Sequence, residues 1–367
     1  EAVAAFARQT GAACLSCHFQ SFPTLNAFGR SFKKGSFTDV GDQALIEDDE
    51  LSLPASLNIT VVVRPTISSS TSAGVTTHAI QYADQVMLIG GRIGEHTGAF
   101  LELGGGLFGN AQFLNSFDVG DLKVGVNYFS TGFGEDAGLQ LMSVWGQHGG
   151  LLGGKGISAN AFVRGAVGAT TGISTWVAND MGALTLGVVG PQPAAGADQP
   201  VGTFKLAPTL RAQSFFDVAG MELGLGAIIV EGQIGKTTPL GVSNKMSRLG
   251  IDVQLQGEMG DMPIGFYADY SSAKGSTATS VNLYNPNAGT MSGFSARATV
   301  KPVNNIVGIL GFGSYKTGAV GATTDSTVMF GAEYEMYQNG VIALTYTSAK
   351  AAAVTTNTTL LDVEFLM

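Results

Sequence analysis

Both cysteines of this 367-residue chain fall in one pentapeptide, CLSCH at residues 14 to 18, which closes on a histidine. C-x-x-C-H is the spacing by which proteins attach a c-type haem. Cys14 and Cys17 can each form a thioether with one vinyl group of the same haem, and His18 then offers its imidazole to the iron as proximal ligand. A Cys14–Cys17 disulfide and half a zinc site are the alternatives. Structural zinc takes four ligands, and residues 1–53 hold no further Cys or His. A redox CxxC belongs at a helix start in a βαβ setting, which the surrounding sequence lacks. One covalent haem c is therefore the expected cofactor, and its attachment after export implies a site outside the cytoplasm.

A segment of 53 residues is short for wrapping a haem, since cores below roughly 70 to 80 residues need a staple. The haem can be that staple. Because the segment has no Met and no second His, a His or Met sixth ligand must come from the rest of the chain. Read as a strand, residues 138–148 place Gln140, Met142 and His148 on one polar face; Met329 shares parity with Glu333 and Glu335. His148, Met142 and Met329 are the candidate ligands, with His96, in a short turn, a further one. His78 falls in an expected outer loop. Arg8 and Arg30 are expected to pair with haem propionates or with carboxylates of the remaining chain, contacts that Arg makes in bidentate form, and Lys33 and Lys34 could do the same.

Composition describes what must hold this group. Only 13% of residues are charged, 45% are hydrophobic and 52 are Gly. No run reaches the roughly 18 to 20 apolar residues of a spanning helix. A closed barrel satisfies every backbone group in lipid with strands that are only alternately apolar. The net charge of −9 argues against nucleic acid as a partner. EAVAAFARQT lacks a basic stretch followed by an apolar core, so Glu1 is read as a mature N-terminus.

The pattern changes near residue 54. Before it come CxxCH, GRSFKK and the acidic EDDE, which could dock a basic cytochrome but reads more simply as a solvated linker. Beyond it, period-two alternation dominates. Leu249, Ile251, Val253 and Leu255 oppose Asp252, Gln254 and Gln256; Val328, Phe330 and Tyr334 oppose Glu333 and Glu335; Leu361, Val363 and Phe365 oppose Asp362 and Glu364. Tight joints at Gly260-Asp261, Asn304-Asn305 and Gln338-Asn339 alternate with long ones such as SSSTSAGVTTHAIQYA and KGSTATSVNLYNPNAGTM, as periplasmic turns alternate with outer loops. Trp145, Trp176, Tyr128, Tyr270 and Phe365 suit an interfacial belt. The expected architecture is all-β: a transmembrane antiparallel β-barrel of about 16 strands, within about 14 to 18, over 54–367, preceded by a haem plug over 1–53. A soluble sandwich or propeller is the alternative.

FARQTGAACLSCHFQSFPTLNAFGRSFK, residues 6 to 33, resembles the N-terminal signature of the fused monohaem cytochrome–porins of bacterial outer membranes, which include iron oxidases of iron-oxidising bacteria. The resemblance rests on FARQTG, CxxCH, Pro23, Leu25, the FGR of Phe28 to Arg30, Phe32 and Lys33. The chain differs in being shorter than family members commonly are and in closing on Met367 instead of an aromatic. The resemblance implies a haem plug inside a Gram-negative outer-membrane barrel, in the lumen or at its periplasmic side. Electrons would pass from extracellular Fe(II) to a periplasmic cytochrome or other carrier. An electron conduit with another donor or acceptor, and a diffusion porin with a structural haem, are the other readings; as in porins generally, a homo-oligomer is compatible with each. Glu135, Asp136, Asp198 and Asp325 in outer loops, with Asp252, Asp269, Glu333 and Glu335 in the lumen, are candidate oxygen ligands for iron. GGLLGGKG lacks the Ser or Thr of a phosphate loop, GGGLFG lacks a strand-to-helix setting, and no Ser-His-Asp constellation is visible.

Overall fold

The computed structural model describes residues 4–49, 51–104, 107–132, 139–142, 157–192, 205–237 and 241–367. Three short helices, α1 (Ala4–Thr10), α2 (Cys14–Cys17) and α3 (Ala27–Lys34), lead into a hairpin of β1 (Leu45–Asp48) and β2 (Leu51–Pro54). Sixteen strands then close a barrel. They are β3 (Ile59–Ser72), β4 (Val75–Gly94), β5 (Thr97–Gly104), β6 (Leu107–Val119), β7 (Leu122–Thr131), β8 (Thr170–Asn179), β9 (Gly182–Pro191), β10 (Ala207–Val218), β11 (Met221–Thr237), β12 (Val242–Met259), β13 (Met262–Ala273), β15 (Met291–Val303), β16 (Ile306–Lys316), β17 (Asp325–Tyr337), β18 (Gly340–Ala351) and β19 (Val354–Leu366). A short β14 (Ser280–Asn282) pairs parallel with β12, whereas all barrel neighbours are antiparallel. Closure is made by β19 on β3, with Leu361 opposite Ile67 and Phe365 opposite Val63.

Alternation in this barrel runs opposite to that of a soluble sandwich. On β17, Val328, Phe330 and Tyr334 are exposed while Met329, Glu333 and Glu335 are buried; on β12, Leu249 and Ile251 are exposed while Asp252, Gln254 and Gln256 are buried. Apolar side chains point out and polar ones in, which is stable only when the outer solvent is lipid. Among the described residues no helix is long and apolar enough to cross a membrane. Tyr128 and Tyr270 face outward as expected, but Trp176 is 3% exposed and faces the lumen. It shares the inward parity of β8 with Ser174 and Ala178, and on β7 Gly125 leaves room for its indole. Trp145 lies outside the described residues.

Two-residue turns at Glu95-His96, Gly120-Asp121, Asp180-Met181, Ala219-Gly220, Gly260-Asp261, Asn304-Asn305 and Gln338-Asn339 all lie at the end where β3 begins and β19 finishes, the periplasmic end of such a barrel. At the opposite end the expected loop SSSTSAGVTTHAIQYA is instead two strands meeting at Ala73-Gly74, with His78 paired to Ser69 on β4. Hydroxyl pairs such as Thr71–Thr76 and Ser70–Thr358, each 2.8 Å, extend these strands beyond the apolar zone. With both faces polar there, the period-two signal disappears although the ladder continues.

Two described parts of the connection between β7 and β8, residues 139–142 and 157–164, lie against the inner wall of the barrel. Residues 139–142, expected in a strand, form no strand; Leu139, Leu141 and Met142 pack against Trp176, Ala178, Ala183 and Phe215 on the barrel wall. Gln213 ties this segment down, donating to the Leu139 carbonyl at 3.0 Å and accepting from the Leu141 amide at 3.2 Å. Helix α4 (Ala159–Arg164) lies against β13, β15 and β16. Its start is held by Asp269, which accepts from the Asn160 amide at 2.6 Å, from Ser158 Oγ at 3.2 Å and from Ser295 Oγ. His148 lies outside the described residues.

Candidate haem site and its seat in the barrel

Cys14 and Cys17 stand one helical turn apart on α2, which puts both thiols on one face. His18 leaves the helix in an extended conformation (φ −116°, ψ 143°), its amide still bonded to the Cys14 carbonyl at 3.1 Å, and bridges to Leu25. Asn26 joins the two halves of the motif. Its side chain caps α3 by accepting from the Gly29 amide at 3.0 Å and donates to the Ser16 carbonyl at 2.9 Å, while its amide donates to the Cys17 carbonyl at 3.0 Å. Gly29 is required at this contact: a Cβ there would overlap the Cys17 carbonyl.

Helices α1, α2 and α3 surround a cavity of about 590 Å³, counting space open to solvent. Cys14, Cys17 and His18 line it together with Leu25, Phe6, Phe32 and Phe37. The rings pack on one another, Phe6 stacked on Phe37 at 4.8 Å and edge-on to Phe32 at 5.2 Å. This lining is that of a cofactor site, mostly apolar with few polar groups. Burial is the main cause that lowers the His18 pKa to about 3, against an opposing pull from backbone groups of Thr24 and Pro23. The imidazole is therefore neutral at physiological pH, the form that binds metal. Its Nδ1 is buried without a hydrogen-bond partner. Burial also raises both thiol pKa values. Paired thiols, a neutral imidazole and an apolar cavity fit a c-type haem.

Arg8 and Arg30, expected to pair with haem propionates or with barrel carboxylates, both bond to the barrel, and Arg30 does so through a carboxylate. Arg8 donates to the Ile59 carbonyl. Arg30, 3% exposed, pairs with Glu222 at the start of β11, lies over the Phe215 ring at 4.1 Å and donates to the Leu25 carbonyl at 3.3 Å. Neither lines the cavity, whereas Lys33 does. Lys34 Nζ donates to the Asn179 carbonyl at 2.7 Å. Lys301 Nζ donates to the Gln20 carbonyl at 2.7 Å and to Glu335 at 2.5 Å, and Thr299 Oγ1 donates to Gln20 Oε1 at 2.7 Å. Gly98 on β5 lets the Ser36 carbonyl approach so closely that a Cβ would overlap it. The plug thus sits inside the periplasmic mouth, touching the wall on several sides.

Met142 and Met329 do not line the cavity. Met142 belongs to the lumen cluster that includes Trp176 and Phe215, and Met329 packs with Ile157, Val307, Ile309 and Ala343. His96 is in an exposed turn against Phe117. Of the candidate iron carboxylates, Glu135, Asp136 and Asp198 lie outside the described residues. Asp325 accepts from the Ala352 amide at 2.9 Å, Asp252 is paired with Arg211 at 2.5 Å and Glu335 with Lys301. Sequence reasoning passed over Asn26 and Phe6; an Asn directly before a short amphipathic run was the available signal for the cap.

No protein-family model matches the chain, and no curated protein sequence matches it either. Solved structures do. The fold is that of outer-membrane barrels. OmpT of Vibrio cholerae in a trimer form superposes with a TM-score of 0.54 at 11% identity, over 85% of this chain and 99% of that one. An anion-selective porin from Comamonas acidovorans gives 0.51 at 12%, covering 85% and 99%. The outer membrane channel DcaP of Acinetobacter baumannii gives 0.53 at 11%, covering 85% and 97%. This chain is a porin-like barrel of the Gram-negative outer-membrane type carrying a plug in its periplasmic mouth.

Proposed function

We propose that this chain is an outer-membrane electron-transfer protein of the fused monohaem cytochrome–porin kind. In this reading one c-type haem is held through Cys14, Cys17 and His18, and extracellular Fe(II) is the donor. Bound at this position, a haem supplies a one-electron relay. Each Fe(II) loses one electron to become Fe(III), and a periplasmic carrier takes that electron up. The observation that carries the proposal is the CxxCH turn opening on an aromatic cavity inside a plug that is bonded into a membrane barrel. The chain's own part is to bury the imidazole in its neutral form, to wall the cavity with Phe6, Phe32 and Phe37 and to fix the plug through Arg30, Lys34 and Lys301. Packing of the lumen supports a conduit for electrons over one for solutes: Arg211, Asp252, Arg297, Lys301, Glu333 and Glu335 are all buried.

The test is anaerobic mixing of the oxidised, detergent-solubilised, haem-loaded protein with Fe(II), following the reduced-haem absorption. Rapid reduction that is absent in Cys14→Ala supports the proposal. A haem that stays oxidised with Fe(II) but reduces with a low-potential donor overturns the choice of iron and leaves a general conduit. A second reading, a diffusion porin with a structural haem, is favoured by the likeness to the Comamonas acidovorans porin and to DcaP. In a planar bilayer it requires open-channel conductance with the plug in place.

A further inference from the structure

Resting on the haem reading, we infer that the acidic periplasmic face of this protein, formed by the β1–β2 hairpin and the strand turns around the plug, docks a soluble one-electron carrier whose own contact surface is basic. The acidic run that reads as a linker is part of a folded hairpin. Glu47 and Asp48 close β1 and Asp49 follows in the turn, all three exposed. Ser52 on β2 accepts from Arg92 Nε at 3.1 Å near the periplasmic end of β4, which fixes the hairpin beside the mouth. Asp39 and Asp42, also exposed, lie in the segment leading to it. Four of the seven two-residue turns add an exposed carboxylate, from Glu95, Asp121, Asp180 and Asp261, and none of the seven carries Lys or Arg.

Little positive charge answers these groups from within the chain. Asp180 lies 3.7 Å from Lys34 and Glu95 lies 4.0 Å from His96. Among the described residues at this end, Arg8 is exposed, and Arg92 and Lys123 are half-buried, the latter paired with Asp118 at 2.6 Å. Arg30, Lys33, Lys34 and Lys301 are buried. The opposite end exposes Lys205, Lys274, Lys316 and Lys350, so the acidity belongs to one face and not to the chain as a whole. Like charges gathered on one face steer an oppositely charged protein to it and repel an acidic one. Apolar side chains accompany them: Phe28 of α3 and Ile46 of β1 are each 50% exposed and Leu51 of β2 is 40% exposed. Helix α3 crosses the mouth, bonded through Arg30 to Glu222 and through Lys34 to the Asn179 carbonyl, and Phe28 precedes the Gly29 that packs on Cys17. Apolar contact next to the haem-attachment turn, within a charged surround, suits the small, transient interfaces of electron carriers. One electron leaves the plug and the oxidised carrier gains it; no bond is made or broken.

The experiment uses full-length, oxidised, haem-loaded protein in nanodiscs of zwitterionic phosphatidylcholine. The probe is a zinc-substituted basic cytochrome c, beside the same probe with its lysines maleylated. Fluorescence anisotropy reads binding, and quenching of the zinc-porphyrin triplet reads electron transfer across the contact. The basic probe is expected to bind at low salt, to lose about tenfold or more in affinity between about 0.01 and 0.1 M salt, and to be quenched; the maleylated probe should neither bind nor be quenched. Glu47→Gln/Asp48→Asn/Asp49→Asn, which keeps the shapes of the hairpin side chains, should weaken binding about threefold or more. Asp121→Asn/Asp261→Asn should add to that loss, and Lys316→Gln/Lys350→Gln at the opposite end should leave binding unchanged. Equal binding of the two probes, affinity indifferent to salt, or amide variants equal to the wild type overturns the inference, as does binding without quenching. A wild type without haem stain on denaturing gels fails the parent reading before any probe is added, so the two failures are distinguishable.

Discussion

Replacing Arg30 by alanine should loosen the plug without unfolding the barrel. Arg30 joins α3 to the wall by an ion pair with Glu222, a cation–π contact with Phe215 and a hydrogen bond to the Leu25 carbonyl. A buried pair broken on one side costs about 3 to 5 kcal/mol when the surviving charge is stranded. Here Glu222 keeps 29% exposure and can be hydrated, so the pair is discounted to about 1 kcal/mol. The ring contact adds about 1 kcal/mol and the hydrogen bond about 1 kcal/mol or less. A total of about 2 to 3 kcal/mol raises the fraction of barrels with an open plug roughly 30- to 150-fold. Single-channel recording in planar bilayers reads that fraction directly as time spent conducting. Glu222→Gln, which leaves the ring contact, should produce a smaller rise, and Arg30→Met one in between. Open time in Arg30→Ala equal to that of the wild type would refute the claim that this contact seats the plug.

Gly29→Ala drives a methyl into the Cys17 carbonyl and should reduce covalent haem incorporation severalfold while the heat-modifiable mobility of the folded barrel on gels stays unchanged. Asn26→Ala removes the cap of α3 at a cost of about 1 kcal/mol, visible as faster proteolytic nicking within residues 18–34 than in the wild type. On the lipid face, Phe330→Arg should cost about 2 to 4 kcal/mol if that position lies near the bilayer midplane, measured by urea titration in liposomes; an unchanged midpoint would contradict the outward assignment. Asp269→Ala frees the start of α4, and its effect on conductance should emerge when combined with Arg30→Ala, because the plug and α4 occupy the lumen in series.

The sequence by itself determined the class of the scaffold and supplied the motif on which the chemistry proposed for the front segment rests. Cys14, Cys17 and His18 stand out as candidates because the proposed thioether attachment would demand local spacing, and local spacing survives any fold. Strands such as 249–256 and 328–335 are readable because one face meets lipid and the other the lumen, so burial is written at period two. Where both faces are polar, as along Ser68 to Thr77, that signal fails and a hairpin looks like a loop. Trp176 looked like a belt residue because parity separates two faces without naming which is inside; the Gly125 opposite it and the Leu139–Met142 segment decide that it fills the lumen. Only the tertiary structure decided the division of labour among the plug's cations. Arg30 meets Glu222 across 192 residues of chain, whereas Lys33, three positions later, turns to the cavity. Successive residues of a helix point in different directions, and their partners are set by barrel closure, which brings distant strands together around the plug and leaves no trace in local spacing.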